Sequence, residues 1–323
     1  MAILSKNHSS YPRIGNKPEQ QKLRQAYNKF DLGKNSAEQV AQILDSTVAE
    51  IINEQLAGGC DIITDGQIRC ADPLSYIAGK IKGFEIGGLR RFFDTNFLYR
   101  QPKIISRLNY DKPLVADDFN FAKKISKDKA SVIMFGPYSL LKMSMVEKNF
   151  EGNLADLTEI YIKEIIELKA GGARLIQLDE PAILHNPHDL GIFESSYQEI
   201  MAQKEIPEIM TGLYFGNAVP MIDKLAGLPV DGICFDFTYS PGLAEALNGF
   251  SRNIGLGLID GRNTKMEKQN ELIDTAGEII NKIKSERVYI TSSCGLEFLP
   301  RDRAFAKLKL CADTAKSLAG VHR

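Results

Sequence analysis

The chain has 323 residues, enough for one large α/β barrel or for two ordinary domains. Its 40 Lys and Arg against 41 Asp and Glu leave a net charge of −1, so no excess of cations is available to track a phosphate backbone, and nucleic-acid binding is not expected. Apolar residues make up 44%, ample for a core, yet no apolar run approaches the ~20 residues of a membrane span. The opening residues, MAILSKNHSSYPRIG, lack the apolar stretch and small-residue cleavage site of a secretory leader, and a cytoplasmic protein is expected.

In chain order, the first apolar run is AIL at 2–4. Ser36-x-x-Gln39 then has the residue types of a capping box, and Val40, Leu44, Val48, Ile51 and Leu56 keep helical spacing up to Gly58-Gly59. DIIT at 61–64 predicts a second strand. Residues 78–128 break the alternation and predict an insertion after that strand, more often a lid or binding element than a passive loop. SVIMF at 131–135 follows, then a helical stripe of Leu157, Tyr161, Ile165 and Leu168 stopped by Gly171-Gly172. Further strands are predicted at 174–178, 208–214, 232–237, 254–259 and 287–291. Helical stripes over Leu272–Ile283 and Phe305–Ala312 flank the last of them. These stripes are core faces. Eight strands with helical returns predict the α/β class and a (β/α)8 TIM barrel formed by residues 1–323 as one unit. A doubly wound sheet is disfavoured, because no Gly-x-Gly-x-x-Gly turn follows any strand.

Ligands of such barrels sit at the C-terminal ends of the strands. Those ends carry Ser9-Ser10-Tyr11-Pro12-Arg13, Thr64-Asp65-Gly66-Gln67-Ile68-Arg69, Gln177-x-Asp179-Glu180, Thr211-Gly212-x-Tyr214, Asp236, Asp260-Gly261-Arg262 and Ser293-Cys294. Asp179 and Glu180 are neighbours on an extended strand, so one faces the mouth and the other faces away; the pattern leaves open which. Asp65 and Asp236 fit a helix cap as well as they fit chemistry. Cys294 reads as a reactive thiolate, a metal ligand or a buried small residue. Arg13, Lys17, Arg90 and Arg91 together could clamp an acidic ligand. The five cysteines (Cys60, Cys70, Cys234, Cys294, Cys311) are dispersed and odd in number, which predicts no disulfide framework. Of the four histidines, His8, His185, His188 and His322, only the middle two lie close, across an Asn-Pro that favours a loop over a ligand pair.

Several blocks are recognisable together: S-Y-P-R-I-G at 10–15, F-F-D-T-N-F at 92–97, Q-L-D-E-P-A at 177–182, L-I-D-G-R-N at 258–263 and S-S-C-G-L-E-F-L-P at 292–300. In this order they resemble the cobalamin-independent methionine synthases. The resemblance implies methyl transfer from a methylated folate to the thiol of homocysteine, and two homologous barrels in full-length members. Some single-barrel relatives take the methyl group from a corrinoid or another non-folate donor. The family's catalytic barrel holds zinc through His-x-Cys, an acid one strand later and a final Cys; zinc keeps the acceptor as a thiolate. Cys294 and Asp236 match the last two positions, but Gly212 and Tyr214 stand at the first two, so no metal is expected in this chain. Y-F-G-N at 214–217 is similar to the family's zinc-free amino-terminal barrel, whereas T-D-G-Q-I-R at 64–69 is more similar to single-barrel members.

The resemblance therefore implies a methyltransferase component that binds a methylated pterin or corrinoid as donor, with no tightly bound cofactor of its own. Zinc would sit in a separate homologous barrel chain. Its expected donor-binding residues are Arg13, Lys17, Asp65, Arg69, Arg91, Asn96, Tyr214, Asp236 and Arg262, with Asp179, Glu180 and Cys294 as catalytic candidates. Arg13–Lys17 lies where the amino-terminal barrel holds a folate tail, although Pro18-Glu19-Gln20-Gln21 replaces its basic motif. Arg91 lies where that barrel has a lysine. A self-contained thiol S-methyltransferase with an altered site and a non-catalytic scaffold subunit are the alternatives. A glycosidase using Asp179 or Glu180 fits a generic barrel but not the motifs.

Overall fold

The computed structural model describes residues 1–321; His322 lies outside them. In chain order the main elements are β1 (Ala2–Ser5), α1 (Lys22–Asp31), α2 (Ala37–Ala57), α3 (Pro73–Ala78), β2 (Ile81–Arg91), β3 (Leu98–Tyr110), α4 (Ala116–Ser126), β4 (Val132–Phe135), α5 (Pro137–Lys142), α6 (Phe150–Ala170) and β5 (Leu175–Asp179). There follow α7 (Leu190–Met201), β6 (Glu208–Leu213), α8 (Ile222–Ala226), β7 (Gly232–Asp236), α9 (Leu243–Ala246), β8 (Asn253–Ile259), α10 (Gln269–Ile280), β9 (Arg287–Ser292) and α11 (Arg301–Val321).

Seven parallel strands form one sheet in the order β1-β9-β8-β7-β6-β5-β4. Its two edges are bridged by 61–64: Ile62 exchanges hydrogen bonds with Ser5 and Asn7, and Ile63 with Lys129 and Ser131. This gives the eight positions of the predicted barrel, the eighth filled by a bridge rather than a ladder. Side chains cut it short. Asp61 takes the backbone N–H of Ser5 at 2.9 Å, and Gln55 of α2 occupies both the N–H and the carbonyl of Thr64. The Ser36–Gln39 capping box starts α2 as its residue types predict, and Gly59 (φ 82°) turns the chain beyond its end.

The departure from strand–helix alternation is narrower than 78–128. Residues 116–126 are α4, whose Phe119 and Ala122 are buried where the barrel's own return helix belongs. The true insertion is α3 with the antiparallel hairpin β2–β3. Period-two alternation sends Leu4, Leu175, Met210, Cys234 and Tyr289 inward to plug the barrel, with Ile62 packed against them. The outer faces join the large core beneath the helices. No described helix is long and apolar enough to cross a membrane.

Candidate functional site

The same alternation continues upward from the plug. Just beyond β1 it brings Lys6 and then His8 inward, and on β5 Gln177 and then Asp179. Lys6 Nζ donates to Gln177 Oε1 at 2.6 Å, and Gln177 Nε2 donates to Asp179 Oδ1 at 2.6 Å. The Tyr214 hydroxyl donates to Asp179 Oδ2 at 3.3 Å, and the His8 ring meets Tyr214 edge-on at 5.3 Å. Burial raises Asp179 to about 7 despite the opposing Gln177 bond and the Lys6 charge. Burial, then the Lys6 charge, holds His8 neutral, and its Nε2 has no protein partner. Glu297, beyond β9, is raised to about 8 by burial and by the charge of Asp179, and its Oε2 is likewise unpartnered.

The hairpin roofs this column. Phe92 packs against Phe135 and Phe215, and Phe97 against Phe298 at 4.7 Å. Asp94 at the tip pairs with Arg262 at 3.0 Å and accepts from the Tyr239 hydroxyl, while the Arg262 guanidinium lies 5.1 Å over the Phe215 ring. A cavity of about 270 Å³ opens between the hairpin, the loop after β1 and residues 66–73, lined among others by Tyr11, Arg13, Gln67, Phe92, Tyr99 and Glu297. A constriction beside it reaches Asp179 and Tyr214 and shares Gln67, Phe92 and Glu297 with the cavity. Gln67, Phe93 and Phe215 hold left-handed backbones (φ 52°, 51° and 62°); Gln67 lines the cavity, and Phe93 and Phe215 pack against its wall residue Phe92.

Several expected residues lie elsewhere. Glu180 points outward: it accepts the N–H groups of Tyr138 and Ser139 at 3.1 and 2.6 Å and caps α5, across a gap that only Gly136 leaves open. Burial raises it to about 7. Arg69 reaches the helical ring, pairing with Asp45 and Asp118 over Phe121. Asp65, raised to about 6 by burial and then by Asp118, lines a small recess beside those groups. Arg91 stitches the hairpin turn through the carbonyls of Thr95 and Asp94, and Asn96 is exposed at the tip. The four-cation clamp does not assemble. Arg13 lines the 270 Å³ cavity, Lys17 lines a separate hollow with Glu54 and Arg301, and Arg90 donates to Gln101. Of the remaining expected residues, Arg13 lines the cavity, Asp179 and Tyr214 line the constriction beside it, and Arg262 sits at the hairpin tip with Asp94. Lys6, His8 and Glu297 were missed as site residues; a charged residue ending an apolar strand was the signal for Lys6.

The zinc positions do not fit zinc. A Cβ on Gly212 would overlap Asp179 Oδ1 and lie 2.8 Å from Gln177 Nε2, so a ligating side chain there would require both groups to shift. Asp236 spends both oxygens on Phe215, Thr238 and Tyr239. Cys294 is buried, its thiol pushed well up by burial and then by the charge of Asp236. His185 is bonded to the Phe215 carbonyl at 2.8 Å. Among the described residues no three His, Cys, Asp or Glu side chains converge as a metal set.

The profile of the cobalamin-independent synthase N-terminal domain matches residues 83–284. A methionine synthase of Sulfurisphaera tokodaii is 29% identical over 300 residues, covering 91% of this chain and 88% of that protein. One of Saccharolobus islandicus is 31% identical over 301 residues, covering 91% and 90%. Among solved structures, the B12-independent methionine synthase of Shewanella sp. W3-18-1, in complex with selenomethionine, superposes with a TM-score of 0.82 at 16% identity over 100% of this chain and 99% of that one.

Proposed function

Because this chain belongs to the cobalamin-independent methionine synthase family, we propose that it is a methyltransferase component of methionine biosynthesis that binds the methyl donor and works with a separate zinc-bearing barrel chain. The observation that carries this reading is the filled Gly212 position, where Asp179 takes the space a zinc-binding side chain needs. The family's independence of cobalamin favours a methylated pterin over a corrinoid as donor. The cavity under the hairpin suits such a molecule. Phe92, Phe97 and Tyr99 offer aromatic walls for a flat ring, Glu297 a hydrogen-bonding acid, and Arg13 a cation for a carboxylate tail. In the transfer, the C–N bond to the pterin breaks, a C–S bond to homocysteine forms, and the pterin nitrogen keeps the electron pair and takes a proton. Glu297, raised to about 8, holds a proton at neutral pH and lines the cavity, whereas the other lining acid, Asp72, is engaged by the Ser75 N–H and hydroxyl. Zinc in the partner supplies a thiolate acceptor.

The test is methionine formation from methylated folate and homocysteine, by the chain alone and after mixing with a homologue that retains His-x-Cys. Turnover only in the mixture supports the proposal. Turnover by the chain alone supports the second reading, a self-contained thiol S-methyltransferase, which has one observation in its favour: relatives named methionine synthases are themselves of one-barrel length.

A further inference from the structure

Below the mouth lies a group that the donor-binding reading leaves unused. Lys6 is fully enclosed, and its Nζ meets three oxygens: Gln177 Oε1 at 2.6 Å, the His8 carbonyl at 3.2 Å and the Asn7 carbonyl at 3.4 Å. All three are pure acceptors. Three N–H donors are needed to serve them, which matches an ammonium and not an amine. A lysine ammonium can only donate, so it fixes Oε1 as the end of the Gln177 amide that faces it. Nε2 must then face Asp179, whose Oδ1 accepts it at 2.6 Å. Cation, amide dipole and carboxylate stand head to tail, all from residues with at most 3% exposure.

The surroundings explain why such a relay is needed. An isolated acid above a plug of Leu175, Met210 and Tyr289 would keep its proton. The other groups around the relay do little to offset that. The Tyr214 hydroxyl is a weak donor at 3.3 Å, His8 is neutral, the Cys234 thiol stays protonated as it donates to Gln177 Oε1, and Glu297 carries like charge when ionised. Lys6 is the opposing cation, delivered through Gln177.

We propose that Lys6, acting through Gln177, is a positioning residue that aims Asp179 at the mouth and favours its carboxylate form.

The test is a pH titration of the protonated-carboxyl infrared band of the full chain, assigned by its loss in Asp179→Asn. In the unmutated protein the assigned band vanishes at mildly alkaline pH, and a band that persists there overturns the proposal without recourse to other variants. In Lys6→Met, and separately in Gln177→Leu, the midpoint rises by about one pH unit or more, a tenfold gain in proton affinity, with circular dichroism unchanged. An unmoved midpoint in either folded variant overturns the relay. These titrations contain no ligand, so failure of the donor-binding reading leaves their outcome intact.

Discussion

Asp179 and Glu180 are adjacent carboxylic acids with opposite tasks. Adjacency on a strand told us that they diverge, but the phase was set by which β5 residues plug the barrel, a tertiary fact. Glu180→Ala removes the acceptor for two buried N–H groups at the start of α5 and is expected to cost roughly 1–3 kcal/mol in urea unfolding, with donor affinity unchanged. Asp179 and Glu297 act on stability through pH. Their midpoints in the folded chain, about 7 and about 8, lie above those of unfolded carboxylates near 4, so the folded state binds these protons more tightly. The resulting stabilisation is complete below about pH 4 and is lost as pH rises through 7 and 8. Unfolding midpoints measured from pH 5 to 8 should therefore fall, and Asp179→Asn should flatten that slope. Arg69 shows the limit of reading single residues. Its strand-end position resembled a ligand contact, but the side chain is long enough to reach Asp45 and Asp118 instead.

At the scale of elements, the helices were the most legible, because capping residues and glycine stops are local chemistry; α2 keeps both its Ser36 box and its glycine exit. The insertion was visible only as a break in alternation. Its far boundary was misplaced because α4 carries few large apolar residues, and its burial is conferred by neighbours. The hairpin's hold on the barrel was not legible at all, since Asp94 and Arg262 are 168 residues apart. That pair is mostly exposed on the Asp94 side, so Arg262→Ala should change overall stability by no more than ~1 kcal/mol. It should nevertheless speed hydrogen exchange at 92–99 several-fold, because the same guanidinium also covers Phe215 and holds Tyr239. Unchanged exchange there would mean that the aromatic contacts alone hold the roof.

For the molecule as a whole, eight apolar runs with helical returns were enough to identify the barrel, and the ordered motif blocks its family. The state of the metal position was harder to read, because glycine at 212 says only that a ligand is missing. The structure adds that Asp179 fills the space. The double change Gly212→His with Tyr214→Cys should therefore leave elemental analysis well below one zinc per chain and lower stability through overpacking, by roughly 1–3 kcal/mol.

The ring also has an order of assembly. β1 pairs along its length with β9, from Ala2 opposite Arg287 to Ser5 opposite Ile290, and on its other side meets only the bridge at Ile62. Until β9 has left the ribosome, β1 has no ladder to join, and β8 keeps an open edge. The contacts that build the mouth, Lys6 to Gln177 and Asp94 to Arg262, likewise span more than half the chain. High contact order makes the mouth a late product of folding, so a chain stalled before β9 presents unpaired strand edges to chaperones and proteases, and no binding site.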